Sequence, residues 1–263
     1  MSVTTPRDRR LLRWLVDHRV LTTGQITAAL FSSPVTARHR LALLRRRGLT
    51  DRWRWHHGTG GSSAYHHVIG PLGARIIAAE RDKAPPSAQR LRDQRTQLAT
   101  SANLGHLLGV NDFFTQLAAY ARTHPPAALV TWHNTAQAVS THSVFNDAPA
   151  RPDGYGEWRE RHRTVRFFIE HDTGTMNLGD LADKLDTYDR AVRRGWPTHP
   201  VLFWLPSTRR AANLRQLLTR TAPHPVPIWI AATGGPNPAE AMWVQPGRSA
   251  APRRLSDLST SLP

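Results

Sequence analysis

The fold is constrained most by three short helical patterns and two strand patterns that follow one another within the first eighty residues. Residues 7–19, 24–31 and 34–47 have the apolar spacing of amphipathic helices. Pro34 at the first position of the third helix and Gly48 after its last residue are favoured at those two places. These patterns predict three consecutive helices that share one small core.

The strand patterns follow directly after Gly48. Trp53 and Trp55 alternate with basic residues, residues 58–63 are rich in glycine and serine, and residues 64–69 return as a second strand. Three helices and a hairpin, with a further helix over residues 71–81, predict a winged helix-turn-helix spanning residues 1–82. The hairpin also carries two pairs of adjacent histidines. Neighbours on a strand point to opposite faces, so at most one histidine of each pair could join a shared metal site, and we expect solvated side chains instead. They are His56, His57, His66 and His67.

The third helix is expected to turn Val35, Ala37, Leu41 and Leu44 to the core and its basic residues outward. In a winged helix this element enters the major groove, and most arginines on it contact phosphate rather than bases. The predicted DNA contacts on the helix and on the hairpin are Thr36, Arg38, His39, Arg40, Arg46, Arg47, Arg52 and Arg54.

The charge of the chain favours a polyanionic partner. Lys and Arg number 35 against 19 Asp and Glu, a formal net charge of +16, and residues 1–75 hold 13 of the basic residues but only 3 acidic ones. An arginine-rich composition explains why lysine occurs only at Lys83 and Lys184, but it does not explain this clustering. We therefore expect double-stranded DNA as the partner. A winged helix that binds only proteins is the alternative.

The composition also excludes some classes of site and predicts a location. The sequence has no cysteine, so disulfides, thiolate zinc sites and cysteine nucleophiles are excluded. It shows no signal-peptide pattern and no apolar run of membrane-spanning length, from which we expect a cytoplasmic protein without a membrane partner.

The remainder of the chain predicts an α/β domain with a central mixed sheet over residues 99–248, after a linker running into a helix at 83–98. Its order is helix–β–β–β–helix–β, followed by a helix and a last strand. Residues 249–263, rich in serine, proline and arginine, are predicted to be a flexible tail. The strand patterns lie at residues 127–133, 151–158, 164–172, 199–206 and 226–233.

Four residues of this domain form a candidate catalytic constellation. Glu170 and Asp172 lie two apart at the end of a strand and share a face, and Asp153 lies on the neighbouring strand of a predicted hairpin. Three such carboxylates can bind Mg²⁺ or Mn²⁺, and Lys184 can neutralise a phosphate. The alternative is structural: Asp153 makes a turn, and the other two acids pair with Arg163 or Arg166.

The strand order and these residues resemble the PD-(D/E)xK nuclease superfamily. Pro152-Asp153 matches the first part of its motif and Glu170-His171-Asp172 the second, although Asp172 stands where that family has lysine. Some members carry the lysine on the following helix, where this chain has Lys184. The resemblance implies a metal-dependent DNA endonuclease or nickase with Asp153, Glu170, Asp172 and Lys184 as its site.

A larger part of the chain is similar to the replication-relaxation family, whose members occur on actinobacterial plasmids and integrated mobile elements. The resemblance rests on the stretches at residues 37–49, 106–114, 151–155, 168–175 and 184–188. It implies a role in plasmid replication and DNA relaxation. Candidate partners are double-stranded DNA, a second copy of the chain, and other replication or transfer proteins.

Three functions remain open from the sequence. The first is a metal-dependent nickase guided by the winged helix. The second is a non-catalytic accessory protein or transcriptional regulator with a degenerate nuclease-like domain, and the third is a toxin or defence component that regulates its own operon. A tyrosine relaxase is disfavoured because Tyr155 and Tyr188 lack a nearby H-x-H motif.

Overall fold

The computed structural model describes residues 4–55, 63–143, 150–221, 223–247 and 251–258. The chain forms two compact units, Met1–Ala119 (unit 1) and Tyr120–Pro263 (unit 2). The division falls inside a helix, later in the chain than residue 99, where the second domain was expected to start. None of the described helices is both long enough and apolar enough to cross a bilayer.

Unit 1 is mainly helical and holds a three-stranded antiparallel sheet. Its middle strand is β3 (His66–Ile69), which lies between the expected β2 (Thr50–Trp53) and β1 (Leu21–Thr22), a two-residue strand that the sequence patterns did not predict. The elements are α1 Pro6–Asp17, β1 Leu21–Thr22, α2 Thr23–Leu30, α3 Pro34–Arg46, β2 Thr50–Trp53, β3 His66–Ile69, α4 Pro71–Glu80, α5 Ala88–Thr100 and α6 Leu104–Thr123, which continues into unit 2.

Local sequence explains where the first helices begin and end. Thr5 and Thr22 each form a reciprocal capping box with the third residue of the helix that follows. Ser33 occupies the expected N-cap position of α3, but its side chain makes no capping hydrogen bond. Gly48 has a φ of +68°, as predicted for a residue that ends a helix in the left-handed conformation.

The core of unit 1 follows most of the predicted apolar stripes. Leu11, Leu12 and Leu15 of α1 are fully buried, as are Leu41 and Leu44 of α3. The prediction for Val35 was wrong, because its side chain is 51% exposed. Val35 lies in the first turn of α3.

The segment predicted as a linker running into a helix contains α5. Leu91 and Leu98 of this helix are buried, and Arg95 forms an ion pair with Asp51 of β2. Leu98 belongs to an apolar cluster with Val20 and Val68. The helix is therefore part of unit 1 and not an independent spacer.

Unit 2 contains the predicted mixed sheet. Its five strands lie side by side in chain order, the first three antiparallel and the last three parallel. Helix α7 was not predicted, whereas the other elements lie where the patterns placed them. They are β4 Ala128–Asn134, α7 Thr135–His142, β5 Gly154–Glu160, β6 Arg163–His171, α8 Leu178–Arg193, β7 Val201–Leu205, α9 Thr208–Leu218 and β8 Ile228–Ala232.

Helices α8 and α9 cover one face of this sheet. Leu181 and Leu185 of α8 and Leu214 of α9 pack against Phe168 of β6 and Phe203 of β7. All five side chains are at most 1% exposed. Residues of β6 that share a face with Phe168 therefore point towards α8 and α9, which is the arrangement that builds the site described below.

The end of the chain departs from the predicted flexible tail. Residues 251–258 are described, and Leu255 and Leu258 are buried. Arg253 pairs with Trp243 through backbone hydrogen bonds, and Asp257 forms an ion pair with Arg163 of β6. The apolar side chains explain the difference, because two leucines give this segment surface to bury. Residues 259–263 lie outside the described part.

Candidate functional site

Adjacent strand ends bring Asp153 and Glu170 together. Gly154 of β5 pairs with Ile169 of β6, and the backbone N–H of Asp153 donates to the carbonyl of Ile169 at 3.1 Å. The backbone N–H of His171 donates to Oδ2 of Asp153 at 2.8 Å. This bond fixes the Asp153 carboxylate against the C-terminal end of β6, beside Glu170.

Helix α8 supplies two partners for Glu170 from residues one helical turn apart. Lys184 Nζ lies 2.5 Å from Oε2 of Glu170 and 4.0 Å from Oδ2 of Asp153. The Tyr188 hydroxyl donates to Oε1 of Glu170 at 2.6 Å. Lys184 therefore joins the two carboxylates, and Tyr188 fixes the orientation of one of them.

Burial and neighbouring charges shift the pKa values of Glu170 and Lys184. Burial, reinforced by repulsion from Asp153, raises the pKa of Glu170 to about 7, although Lys184 and Tyr188 act in the opposite direction. For Lys184, burial opposes the charged form, but attraction to Glu170 and Asp153 outweighs it and raises the pKa of the ammonium. Two carboxylates thus share one lysine in a mostly dry site.

Asp172 is on the predicted face but has a different partner. Arg210 of α9 binds both of its carboxylate oxygens, and the N–H of Gly174 donates to Oδ1 at 2.9 Å. Asp172 is 2% exposed at its side chain. The structure thus brings Asp153, Glu170 and Lys184 together and engages Asp172 in an ion pair that also shapes the turn after β6.

Arg163 and Arg166, which the structural interpretation paired with Glu170 and Asp172, bind other acids. Arg166 pairs with Glu157 across β5 and β6, and Arg163 pairs with Asp257. Sequence reasoning missed Arg210, which is 38 residues from Asp172, and the role of Tyr188. The spacing of Lys184 and Tyr188, four residues apart on a helix, was a signal that could have identified Tyr188.

The predicted DNA-contacting residues of α3 are mostly on its surface. Thr36, Arg38 and His39 are exposed, as are Arg46 and Arg47 at the end of the helix region. Within the described part of the chain, Arg38, Arg46 and Arg47 form no ion pair. They form an exposed basic face, with Val35 at its N-terminal end.

Arg40 is the exception among the predicted contacts. Its guanidinium forms two hydrogen bonds with Asp8, whose side chain is 1% exposed, and Arg40 itself is only 18% exposed. Asp8 also accepts hydrogen bonds from the backbone and hydroxyl of Thr5, closing the capping box of α1. Arg40 therefore links α3 to α1 and is not a free surface cation, because a buried carboxylate needs a counter-charge.

The hairpin places its basic and aromatic side chains against one another. The guanidinium carbons of Arg52 and Arg54 lie 3.6 and 4.7 Å from the ring centre of Tyr65. His66 and His67 are buried, at 5% and 1% exposure, so the expectation that they are solvated was wrong. Their contacts explain the burial, because the His66 ring stacks on that of Trp53 with centroids 5.2 Å apart and a ring nitrogen of His67 lies 2.9 Å from the hydroxyl oxygen of Thr23. His56 and His57 lie outside the described residues.

Comparison with known proteins gives one match. The profile of a family described as Replication-relaxation matches residues 12–202, well over half of the chain. The searches of curated proteins and of solved structures found no significant match. The matched range includes α3, the hairpin, Asp153, Glu170 and Lys184.

Proposed function

The chain belongs to the replication-relaxation family, and on this basis we propose that it binds double-stranded DNA in the replication or transfer of a plasmid or mobile element. Unit 1 is proposed to be a winged helix-turn-helix that binds the DNA. Unit 2 is proposed to be a PD-(D/E)xK-like domain that nicks it. A second copy of the chain and other replication or transfer proteins are proposed partners.

The proposal for unit 1 is supported by its element order and its charge. The order α1-β1-α2-α3-β2-β3, with β1 and β2 on either side of β3, is the order expected if unit 1 is a winged helix, which supports the proposal. Exposed arginines lie on α3, the helix that such a fold inserts into the major groove, and the half-buried Arg52 lies on the hairpin strand β2. Arginines at both places can bind phosphates on the two sides of a groove.

Salt dependence of binding tests this proposal. Arg38→Ala, Arg46→Ala and Arg47→Ala, combined, should reduce the slope of log K against log salt by about one per lost phosphate contact. A matched variant with Arg75→Ala, Arg90→Ala and Arg92→Ala removes the same charge from exposed positions of α4 and α5 and should leave the slope nearly unchanged. Equal slopes in the two variants would contradict the assignment of α3.

The proposal for unit 2 rests on one observation, the convergence of Asp153, Glu170 and Lys184 at adjacent strand ends. The two carboxylates provide oxygen ligands of the kind that Mg²⁺ and Mn²⁺ prefer. Repulsion between them contributes to the raised pKa of Glu170, so a cation bound between them would be stabilised by the same charges. The residues present thus fit a divalent cation held by Asp153 and Glu170.

Each residue then has a definable role. A bound Mg²⁺ or Mn²⁺ would supply Lewis-acid polarisation of a phosphate oxygen and activation of water. Lys184 neutralises charge on the phosphate, and Tyr188 holds the Glu170 carboxylate through its hydroxyl. Asp172 acts at a distance, because its ion pair with Arg210 fixes the turn between β6 and α8.

A nicking assay on supercoiled DNA tests the enzyme. The protein with Mg²⁺ or Mn²⁺ should convert supercoiled plasmid to the open circle, and Asp153→Asn, Glu170→Gln and Lys184→Met should each lose this activity while still binding DNA. Asp183→Asn, an exposed neighbour on the same helix, is the matched control and should retain it. Absence of nicking by a protein that binds DNA normally would contradict the proposal.

A non-catalytic accessory or regulatory protein is the second candidate, and one observation favours it. Both oxygens of Glu170 are already bonded, one to Lys184 and the other to Tyr188. A site closed in this way can stabilise the domain without a cation. Specific DNA binding together with unchanged DNA topology under all metal conditions would support this function.

A further inference from the structure

Helix α8 carries a second group of metal-ligating side chains, outside the site that contains Lys184. Asp186 and Asp189 lie three residues apart and therefore on one side of the helix. His224 approaches them from the segment between α9 and β8. One ligand atom from each of the three residues lies within 4.8 Å of the other two.

The carboxylate of Asp189 is incompletely satisfied. Its Oδ2 lies 2.9 Å from Nδ1 of His224, and the two side chains are only 16% and 12% exposed. Its Oδ1 is buried and has no hydrogen-bond partner among the described residues. A buried carboxylate oxygen without a donor is costly, and most such atoms in proteins have a partner. This oxygen is therefore an indication of a ligand that is independent of the clustering.

We propose that Asp186, Asp189 and His224 bind a divalent transition-metal ion of the Zn²⁺ class. An imidazole nitrogen with carboxylate oxygens is a donor set that suits Zn²⁺. Mg²⁺ binds oxygen ligands and is disfavoured by the histidine. Three protein ligands leave a fourth position of a tetrahedral ion to water.

The bound ion joins two parts of unit 2 that are far apart in the sequence. Asp186 and Asp189 flank Tyr188, which holds Glu170, and His224 lies just before the buried Val226 and strand β8. An ion that binds the folded state and not the unfolded chain shifts unfolding to higher temperature. The site thus stabilises the helix that carries Lys184 and Tyr188, whether or not the domain cleaves DNA.

The test uses the full chain with Asp153→Asn and Glu170→Gln, so that the other carboxylate site cannot account for binding. Metal-free protein titrated with ZnCl₂ in a calorimeter should bind about one ion per chain and should unfold at a higher temperature in its presence. MgCl₂ should have neither effect. Co²⁺ in place of Zn²⁺ should give the visible absorption of a nitrogen- and oxygen-ligated ion.

The ligands are tested individually in the same background. Asp189→Asn and His224→Gln should each weaken Zn²⁺ binding by about tenfold or more, since changes to even indirect partners of a metal have effects of that size. Asp186→Asn changes an exposed residue, leaves the core intact, and should weaken binding too. Asp183→Asn is the control and should bind as the parent does.

Two results would overturn the inference. The first is no Zn²⁺ binding by the parent, which would leave only a hydrogen bond between His224 and Asp189. The second is binding of the same strength after Asp186→Asn, which would place the ion elsewhere. Neither result bears on nicking by the Asp153 and Glu170 site, so the two proposals fail separately.

Discussion

Removing Asp8 should destabilise unit 1 and show that Arg40 is a structural residue. Asp8→Ala removes the carboxylate that completes the capping box of α1 and that accepts two hydrogen bonds from Arg40 of α3. Arg40→Ala removes the other partner and leaves Asp8, 1% exposed at its side chain, with only the donors of Thr5. Both changes break the link between α1 and α3.

The magnitudes follow from the contacts. Loss of the hydrogen bond that Asp8 accepts from the backbone of the N-cap Thr5 costs about 1 kcal/mol. Leaving either charge without its partner costs about 2 kcal/mol here, less than for a fully buried pair, because Arg40 is 18% exposed to water and Asp8 keeps two donors from Thr5. We therefore expect about 3 kcal/mol for Asp8→Ala and about 2 kcal/mol for Arg40→Ala. The double variant should lose about 1–2 kcal/mol less in free energy of unfolding than the sum of the two single-variant losses.

Urea denaturation of the full chain, with hydrogen exchange resolved over residues 6–46, measures these values in unit 1. The pH dependence has a defined sign. Burial favours the protonated form of Asp8, but hydrogen bonds from Arg40 and Thr5 outweigh it and lower its pKa. The stabilisation is thus present above the unfolded-state pKa and is lost as the pH falls through the folded-state value.

The same variants discriminate between a structural and a DNA-binding role for Arg40. Arg40→Ala should lower stability while leaving the salt slope of DNA binding close to that of the parent. Additive effects of Asp8→Ala and Arg40→Ala, together with a salt slope reduced by about one in the Arg40 variant, would refute the reasoning.

Two further predictions concern unit 1. Gly73→Ala should destabilise it by about 1–3 kcal/mol, because a Cβ at this position would lie 2.2 Å from the carbonyl oxygen of Leu49. At Gly105 a Cβ would lie within 4 Å of no described atom beyond its chain neighbours and the backbone of its own helix, so Gly105→Ala should stabilise the unit by less than about 1 kcal/mol. Urea midpoints of the two variants check both values. Burial is the main cause that lowers the pKa of His67 to about 3 in the folded chain. As the pH falls below about 6.5, His67 is therefore protonated in the unfolded chain while it stays neutral in the folded one. Through this residue, the free energy of unfolding should fall by about 2 kcal/mol between pH 6.5 and pH 5. His67→Gln should reduce this dependence on pH. An unchanged dependence would argue against a buried, neutral His67.

Local patterns were sufficient for most secondary structure. The patterns at residues 7–19, 34–47 and 164–172 predicted α1, α3 and β6 to within a residue or two at their ends. Strand β1 was missed because two residues are too few for a periodicity, and it exists only through its pairing with β3. Val35 was misassigned because helical spacing shows which side of a helix a residue is on, but not whether another element covers it.

The candidate site was partly predictable for a similar reason. Alternation along a strand placed Glu170 and Asp172 on one face, and the predicted hairpin placed Asp153 beside them. Spacing could not show that Arg210 would pair with Asp172, since the two residues are brought together by the packing of α9 on the sheet. Asp186 and Asp189 were visible on one helix, whereas His224 joins them only in the folded chain.

The sequence by itself determined the local elements, the excess of positive charge and its concentration in the first seventy-five residues, because these depend on residue type and short-range periodicity. The tertiary structure alone decided the partner of each charge. Arg40 pairs with a buried acid while Arg46 stays in water, and Glu170 shares Lys184 with Asp153 while Asp172 does not bond it. The physical reason is that the strength of an ion pair depends on distance and on exclusion of water, and long-range packing sets both.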